Sequence, residues 1–163
     1  MSKEKIYIAY GSNLNLPQMS MRCPDAKILG TSEIEGYELV FRGSKTGSYA
    51  TIEPCEGATV PVLLWSITPH DEKMLDVYEG YPSFYEKEHM TLPLDGKEVT
   101  AMVYIMPSHH VLGMPSQRYI DTIVEGYETA DFDVDILYDA LDKTEQRMEQ
   151  EPQQTALFQQ GWW

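Results

Sequence analysis

At 163 residues, 42% of them hydrophobic and 23% charged, the chain has the length and composition of one ordinary globular domain. Its 26 acidic against 12 basic residues give a net charge of −14, which opposes a phosphate backbone and argues against nucleic acid as partner. No apolar run approaches the roughly 20 residues that span a bilayer, and the opening MSKEKIYIAYG is too briefly apolar for a signal peptide, so no membrane and a cytoplasmic location are expected.

Ile6–Tyr10 is a β-branched and aromatic run, expected as a buried strand that stops at Gly11-Ser12-Asn13. Leu16-Pro17-Gln18-Met19 opens a short helix reaching Met21-Arg22. Ala26–Leu29, Ile34–Phe41, Ala50–Ile52 and Val60–Ile67 read as four separate strands, with a loop at Lys45–Tyr49 and a turn at Pro54–Gly57. Thr68-Pro69-His70-Asp71-Glu72 is a helix start, and the helix runs to Tyr78 with Met74, Leu75 and Tyr78 on one face and Gly80 as its stop. Tyr85–Leu94 and Lys97–Met106 flank Asp95-Gly96, a hairpin signal. Helices follow at Pro115–Glu125, with Gly126 as terminator, and at Asp133–Gln150, striped by Val134, Leu137, Tyr138 and Leu141.

There is no repeat and no linker. Residues 1–150 are expected as one α+β domain, a sheet or small barrel edged by helices, with 151–163 a tail ending in Trp162-Trp163. Cys23 and Cys55 are widely separated and expected as free thiols. His70, His89, His109 and His110 have no metal-binding spacing, so no metal is expected; His109-His110 reads as loop.

Two places have chemical interest. A strand that halts at Gly11-Ser12-Asn13 either makes a plain turn or leaves amide N–H groups facing a carboxylate or oxyanion. Glu79 sits at a helix C-terminus among Tyr78, Tyr81, Phe84 and Tyr85. It is either a solvent-facing acid at a fraying end or a desolvated one with a raised pKa, able to take and give a proton. Arg22 either pairs with an acidic neighbour or faces the same place.

The chain resembles the γ-glutamylcyclotransferase superfamily, the AIG2-like proteins. The resemblance rests on an ordered set: Tyr7–Leu14 (YIAYGSNL), Met19–Pro24 (MSMRCP), Gly36–Phe41 (GYELVF), Leu75–Gly80 (LDVYEG) with Tyr85-Glu86-Lys87, Ala101–Tyr104 (AMVY) and Pro115–Tyr119 (PSQRY). It implies a small mixed β-barrel with surrounding helices and a pocket at one barrel end. It also implies that the α-amine of a γ-glutamyl compound attacks its own γ-carbonyl, releasing 5-oxoproline and an amine or amino acid. By the same resemblance Tyr7, Ile8, Ala9, Tyr10, Gly11 and Ser12 cradle the substrate, Glu79 is the acid/base, and Tyr119 contacts the γ-glutamyl group. Because the nucleophile belongs to the substrate, neither a Ser-His-Asp set nor a metal or organic cofactor has a task. The alternative is a non-catalytic small-molecule-binding module of the same fold. The sequence leaves the oligomeric state open.

Overall fold

The computed structural model describes residues 4–43 and 47–161, with side chains up to Gln150. The Trp162-Trp163 pair and Lys45 lie outside the described residues.

β1 (Lys5–Ala9) lies in the middle of a six-stranded sheet of order β4-β5-β1-β3-β2-β6. It runs antiparallel to β3, Tyr7 opposite Trp65, and parallel to β5, Tyr7 opposite Met102. A strand paired on both edges must bury its side chains, which its β-branched and aromatic residues suit.

Two long strands replace the four short ones expected from sequence. β2 (Lys27–Gly43) joins Ala26–Leu29 to Ile34–Phe41 apart from Ala26 itself, and β3 (Ser48–Ile67) joins Ala50–Ile52 to Val60–Ile67. The expected turn at Pro54–Gly57 is a bulge inside β3. Glu35 faces Thr59 but Tyr37 faces Pro54, so residues 55–58 bow out opposite Gly36. Gly36 (φ 80°) and Gly57 (φ 84°) supply the left-handed backbone there. The turn chemistry was present; the ladder resumed on its far side.

β4 (Glu86–Leu94) and β5 (Lys97–Ile105) form a hairpin whose turn residues Asp95 (φ 52°) and Gly96 (φ 79°) both take positive φ, as a two-residue turn of this kind requires. β6 (Val111–Leu112) pairs with the end of β2, inside a stretch expected only as loop. The sheet curls until β2 meets β4: Ser32 donates to the Pro93 carbonyl, and Leu94 lies over Gly30. No described ladder closes the ring, so the expected barrel is a curled, open sheet within an α+β fold.

α1 (Leu16–Arg22) is capped by Asn15, whose side chain accepts from Gln18 N at 3.1 Å. α2 (Pro69–Glu79) has a reciprocal capping box between Thr68 and Asp71 and stops at Gly80, φ 64°. Of its expected buried face only Leu75 is buried; Met74 and Tyr78 are 39% and 44% exposed, because Tyr78 turns toward a cavity mouth.

α3 (Gln117–Thr129) is capped by Ser116 and runs past Gly126, which was expected to end it. A Cβ at Gly126 would lie 2.6 Å from Leu14 Cβ, so this glycine marks a close approach, not a stop. α4 (Val134–Gly161) continues beyond Gln150, with Leu137 and Leu141 buried and Tyr138 exposed.

Candidate active site

Where β1 ends, the chain turns through one 3-10 turn at Ser12–Leu14 and opens one wall of a cavity of about 300 Å³. The opposite wall is the last turn of α2, Val77 to Glu79, with Gly80, Phe84 and Tyr85. Tyr49 and Ala50 of β3, Tyr104 of β5 and Tyr119 of α3 complete it. Among the residues expected from sequence, Tyr7, Ile8, Tyr10, Gly11, Ser12, Glu79 and Tyr119 line this cavity. Ala9 does not; it is buried in the core.

Glu79 is half-buried and lines the cavity. No described residue donates a hydrogen bond to its carboxylate. Burial pushes its pKa up from 4.5 to about 7, against the opposing charge of Arg22. Its place at the carbonyl end of α2 gives the ionised form no support either. A carboxyl group with a pKa near neutrality exchanges protons readily in both directions.

The buried phenols divide by what their hydroxyls do. Tyr10 donates to the Tyr104 carbonyl at 2.6 Å, Tyr85 to the Ala50 carbonyl at 2.7 Å, and Tyr104 to Asp76 Oδ1 at 2.6 Å. Those hydrogens are spent. Tyr7 instead accepts from Asn13 Nδ2 at 2.9 Å, and Tyr119 accepts from Ala50 N at 3.0 Å. Each keeps its own hydrogen to offer to the cavity. Ala50 serves two tyrosines because β3 has its ladder partner, Phe41 of β2, on one side only at this point. Desolvation holds the pKa values of Tyr7, Tyr10, Tyr85, Tyr104 and Tyr119 above the ordinary tyrosine value, so all five are neutral donors at physiological pH.

Within the 3-10 turn only Leu14 N and Asn15 N are engaged, by the Gly11 and Ser12 carbonyls at 3.0 and 3.1 Å. Among the described residues the N–H groups of Gly11, Ser12 and Asn13, at its head, have no backbone acceptor. A Cβ on Gly11 would lie 3.2 Å from Ala50 Cβ and 3.5 Å from the Tyr119 hydroxyl, so a side chain there intrudes on the cavity wall.

Arg22 does not join a carboxylate among the described residues; it lies over the Tyr78 ring and donates to Ser12 and Asn13. Cys23 is buried, donates to the Asp71 carbonyl at 3.6 Å and has its thiol pushed up to about 12 by burial, which suits a packing role.

Sequence reasoning placed Tyr78, Tyr81, Phe84 and Tyr85 around Glu79. Tyr78, Phe84 and Tyr85 line the cavity, whereas Tyr81 does not; its ring centre lies 4.3 Å from Lys87 Nζ. Tyr49, Ala50 and Tyr104 were not assigned to the site. Those three arrive through strand pairings and curl of the sheet, which leave no local signal. Asn13 was read only as a turn former; its bond to the Tyr7 hydroxyl leaves no local signal in the sequence.

Comparison with known proteins gives one consistent result. The family described as "Gamma-glutamyl cyclotransferase, AIG2-like" matches residues 7–121. The gamma-glutamylcyclotransferases of Homo sapiens and Bos taurus are each 30% identical over 130 residues, covering 74% of this chain and 69% of theirs. A solved structure described as gamma-glutamyl cyclotransferase shares the fold with a TM-score of 0.74 at 24% identity, over 88% of this chain and 87% of that one. An uncharacterized Homo sapiens protein gives 0.74 at 26% identity, over 87% and 86%.

Proposed function

This chain belongs to the gamma-glutamyl cyclotransferase, AIG2-like family, and from that premise we propose that it is an enzyme that cyclises a γ-glutamyl compound. The products are 5-oxoproline and a free amine or amino acid. The observation that carries the proposal is Glu79: a carboxyl group with no hydrogen-bond donor among the described residues and its pKa near 7, facing the same cavity as the amides of Gly11–Asn13.

The steps balance without a protein nucleophile. Glu79, ionised, takes a proton from the substrate's α-ammonium group. The freed amine attacks the γ-carbonyl carbon, forming the new C–N bond and placing negative charge on the carbonyl oxygen. Amides at the head of the 3-10 turn and the unspent hydroxyl hydrogens of Tyr7 and Tyr119 supply donors for that oxygen and for the α-carboxylate. The old amide C–N bond then breaks as the carbonyl re-forms and Glu79 returns its proton to the departing nitrogen. The second proton of the attacking nitrogen passes by the same carboxylate to the released amine, which leaves as an ammonium ion, and the lactam keeps one N–H. Proton transfer of this kind contributes roughly 10²- to 10⁴-fold. Holding amine and carbonyl together contributes further through orientation.

In this reading the cradle is Tyr7, Ile8, Tyr10, Gly11 and Ser12, with Ala9 acting from behind by packing. Residues 1–150 hold the catalytic unit, which works in the cytoplasm on a small molecule. Among the described residues no helix is long and apolar enough to cross a membrane.

Incubating the protein with a panel of γ-glutamyl amino acids, peptides and amines, and following 5-oxoproline by mass spectrometry, tests the proposal. Release from at least one substrate is expected, and release from none overturns it.

A further inference from the structure

Arg22 is a cation that forms no salt bridge among the described residues, yet it lies at the seam between the two cavity walls. Its guanidinium carbon is 3.4 Å from the centre of the Tyr78 ring on the helix wall. Its Nη1 donates to Ser12 Oγ at 3.3 Å and to Asn13 Oδ1 on the turn wall. Asn13 is buried, and its Nδ2 donates to the Tyr7 hydroxyl at 2.9 Å.

We propose that Arg22 is a positioning residue: it fixes the Asn13 amide so that Tyr7 can only accept from Asn13 and must present its own hydrogen to the substrate. The donor and acceptor logic is closed. A guanidinium offers donors only, so the Asn13 group facing it must be the carbonyl oxygen. The amide nitrogen then faces Tyr7, and a donor facing the phenol turns the phenol's hydrogen away, into the cavity. The Tyr78 ring, its centre 3.4 Å from the guanidinium carbon, holds the Arg22 head group in place. This chain of three residues rests on the cyclisation reading only for its purpose, not for its geometry.

Two variants break the chain at different links. Arg22→Met removes every donor and leaves the Asn13 amide free to turn over. Asn13→Asp keeps an acceptor for Arg22 but removes the donor to Tyr7, so the phenol turns its hydrogen back to residue 13. Each is expected to lower kcat on the order of 10²-fold, the scale of a misplaced catalytic group. The decisive measurement is the cycle with Tyr7→Phe. With the phenol gone, and at a pH where Glu79 is ionised in every variant, adding Arg22→Met or Asn13→Asp costs nothing further, whereas independent, multiplying losses overturn the proposal.

Labelling tyrosines at Cζ with ¹³C reads the same chain without turnover. The Tyr7 resonance is expected to move in both variants while that of Tyr85 stays; an unmoved Tyr7 signal overturns the proposal. A Tyr7 signal that moves in a protein releasing no 5-oxoproline defeats the cyclisation reading alone. Circular dichroism checks folding, and should Arg22→Met not fold, Asn13→Asp carries the cycle by itself.

Discussion

Glu72 and Glu79 stand two turns apart on α2, one at each end of the helix. They are the same side chain put to opposite uses. Glu72, in the first turn, is bonded by Lys87 at 2.7 Å and Lys5 at 3.0 Å. Burial alone would push its pKa up, but the two lysines outweigh it and hold it below the ordinary value. Lys87 reaches on to Asp76 at 2.8 Å, so this end of α2 is pinned to β4. Glu79, in the last turn, faces a tyrosine-walled cavity, no described residue donates to its carboxylate, and burial raises it to about 7. Ionised glutamate is stabilised by cations bonded to it; burial without such a bonded cation favours the protonated form instead.

The comparison breaks most visibly at Glu79. Glu79→Gln should fold and still bind 5-oxoproline, yet lose roughly 10²- to 10⁴-fold in the rate of its release; full activity in that variant removes the acid/base role. The facing wall is tested by Gly11→Val. Its methyl groups press on Ala50 and the Tyr119 hydroxyl, and we expect kcat/KM to fall on the order of tenfold or more, chiefly through KM; unchanged substrate affinity counts against the amide cradle.

Stability gives a third arm, with a definite sign. Below pH 4.5 Glu79 is protonated whether the chain is folded or not. Between 4.5 and 7 only the unfolded chain gives up the proton, so wild-type stability declines, and above about 7 the loss is complete. Glutamine has no such proton. The melting temperature of Glu79→Gln should therefore exceed wild type by an amount that grows across that window and then levels, corresponding to about 2 kcal/mol after allowing for solvent in the cavity. A difference independent of pH contradicts the raised pKa. The smallest effect is expected at Glu72→Gln, about 1 kcal/mol of stability read by denaturant unfolding, with turnover left near wild type.

Much of this was legible locally. Thr68-Pro69 and Gly80 marked both ends of α2, and Asp95-Gly96 marked its hairpin, because capping and two-residue turns are settled within a few residues of chain. Gly11 and Glu79 stood out by their neighbours. The long strands were misread because Gly36 and Gly57 carry turn chemistry that β2 and β3 absorb as a bulge, and only the pairing partner decides between bulge and reversal. Gly126 was misread for a similar reason. Its meaning depends on Leu14, 112 positions earlier. Tyr49 and Tyr104 reach the cavity through the curl of the whole sheet, a property no short window contains.

The seat of Leu14 on Gly126 has an architectural consequence. α3 bears Tyr119 and, two turns later, Gly126, where its backbone touches the 3-10 turn without room for even a methyl group. Phenol and amide loop thus ride on a single rigid rod and cannot drift apart independently. Tyr49, partly bare to water, ties this rod to the helix wall, edge to face with Tyr119 at 5.4 Å and with Phe84 at 6.0 Å, so one aromatic ring braces both banks of the cavity.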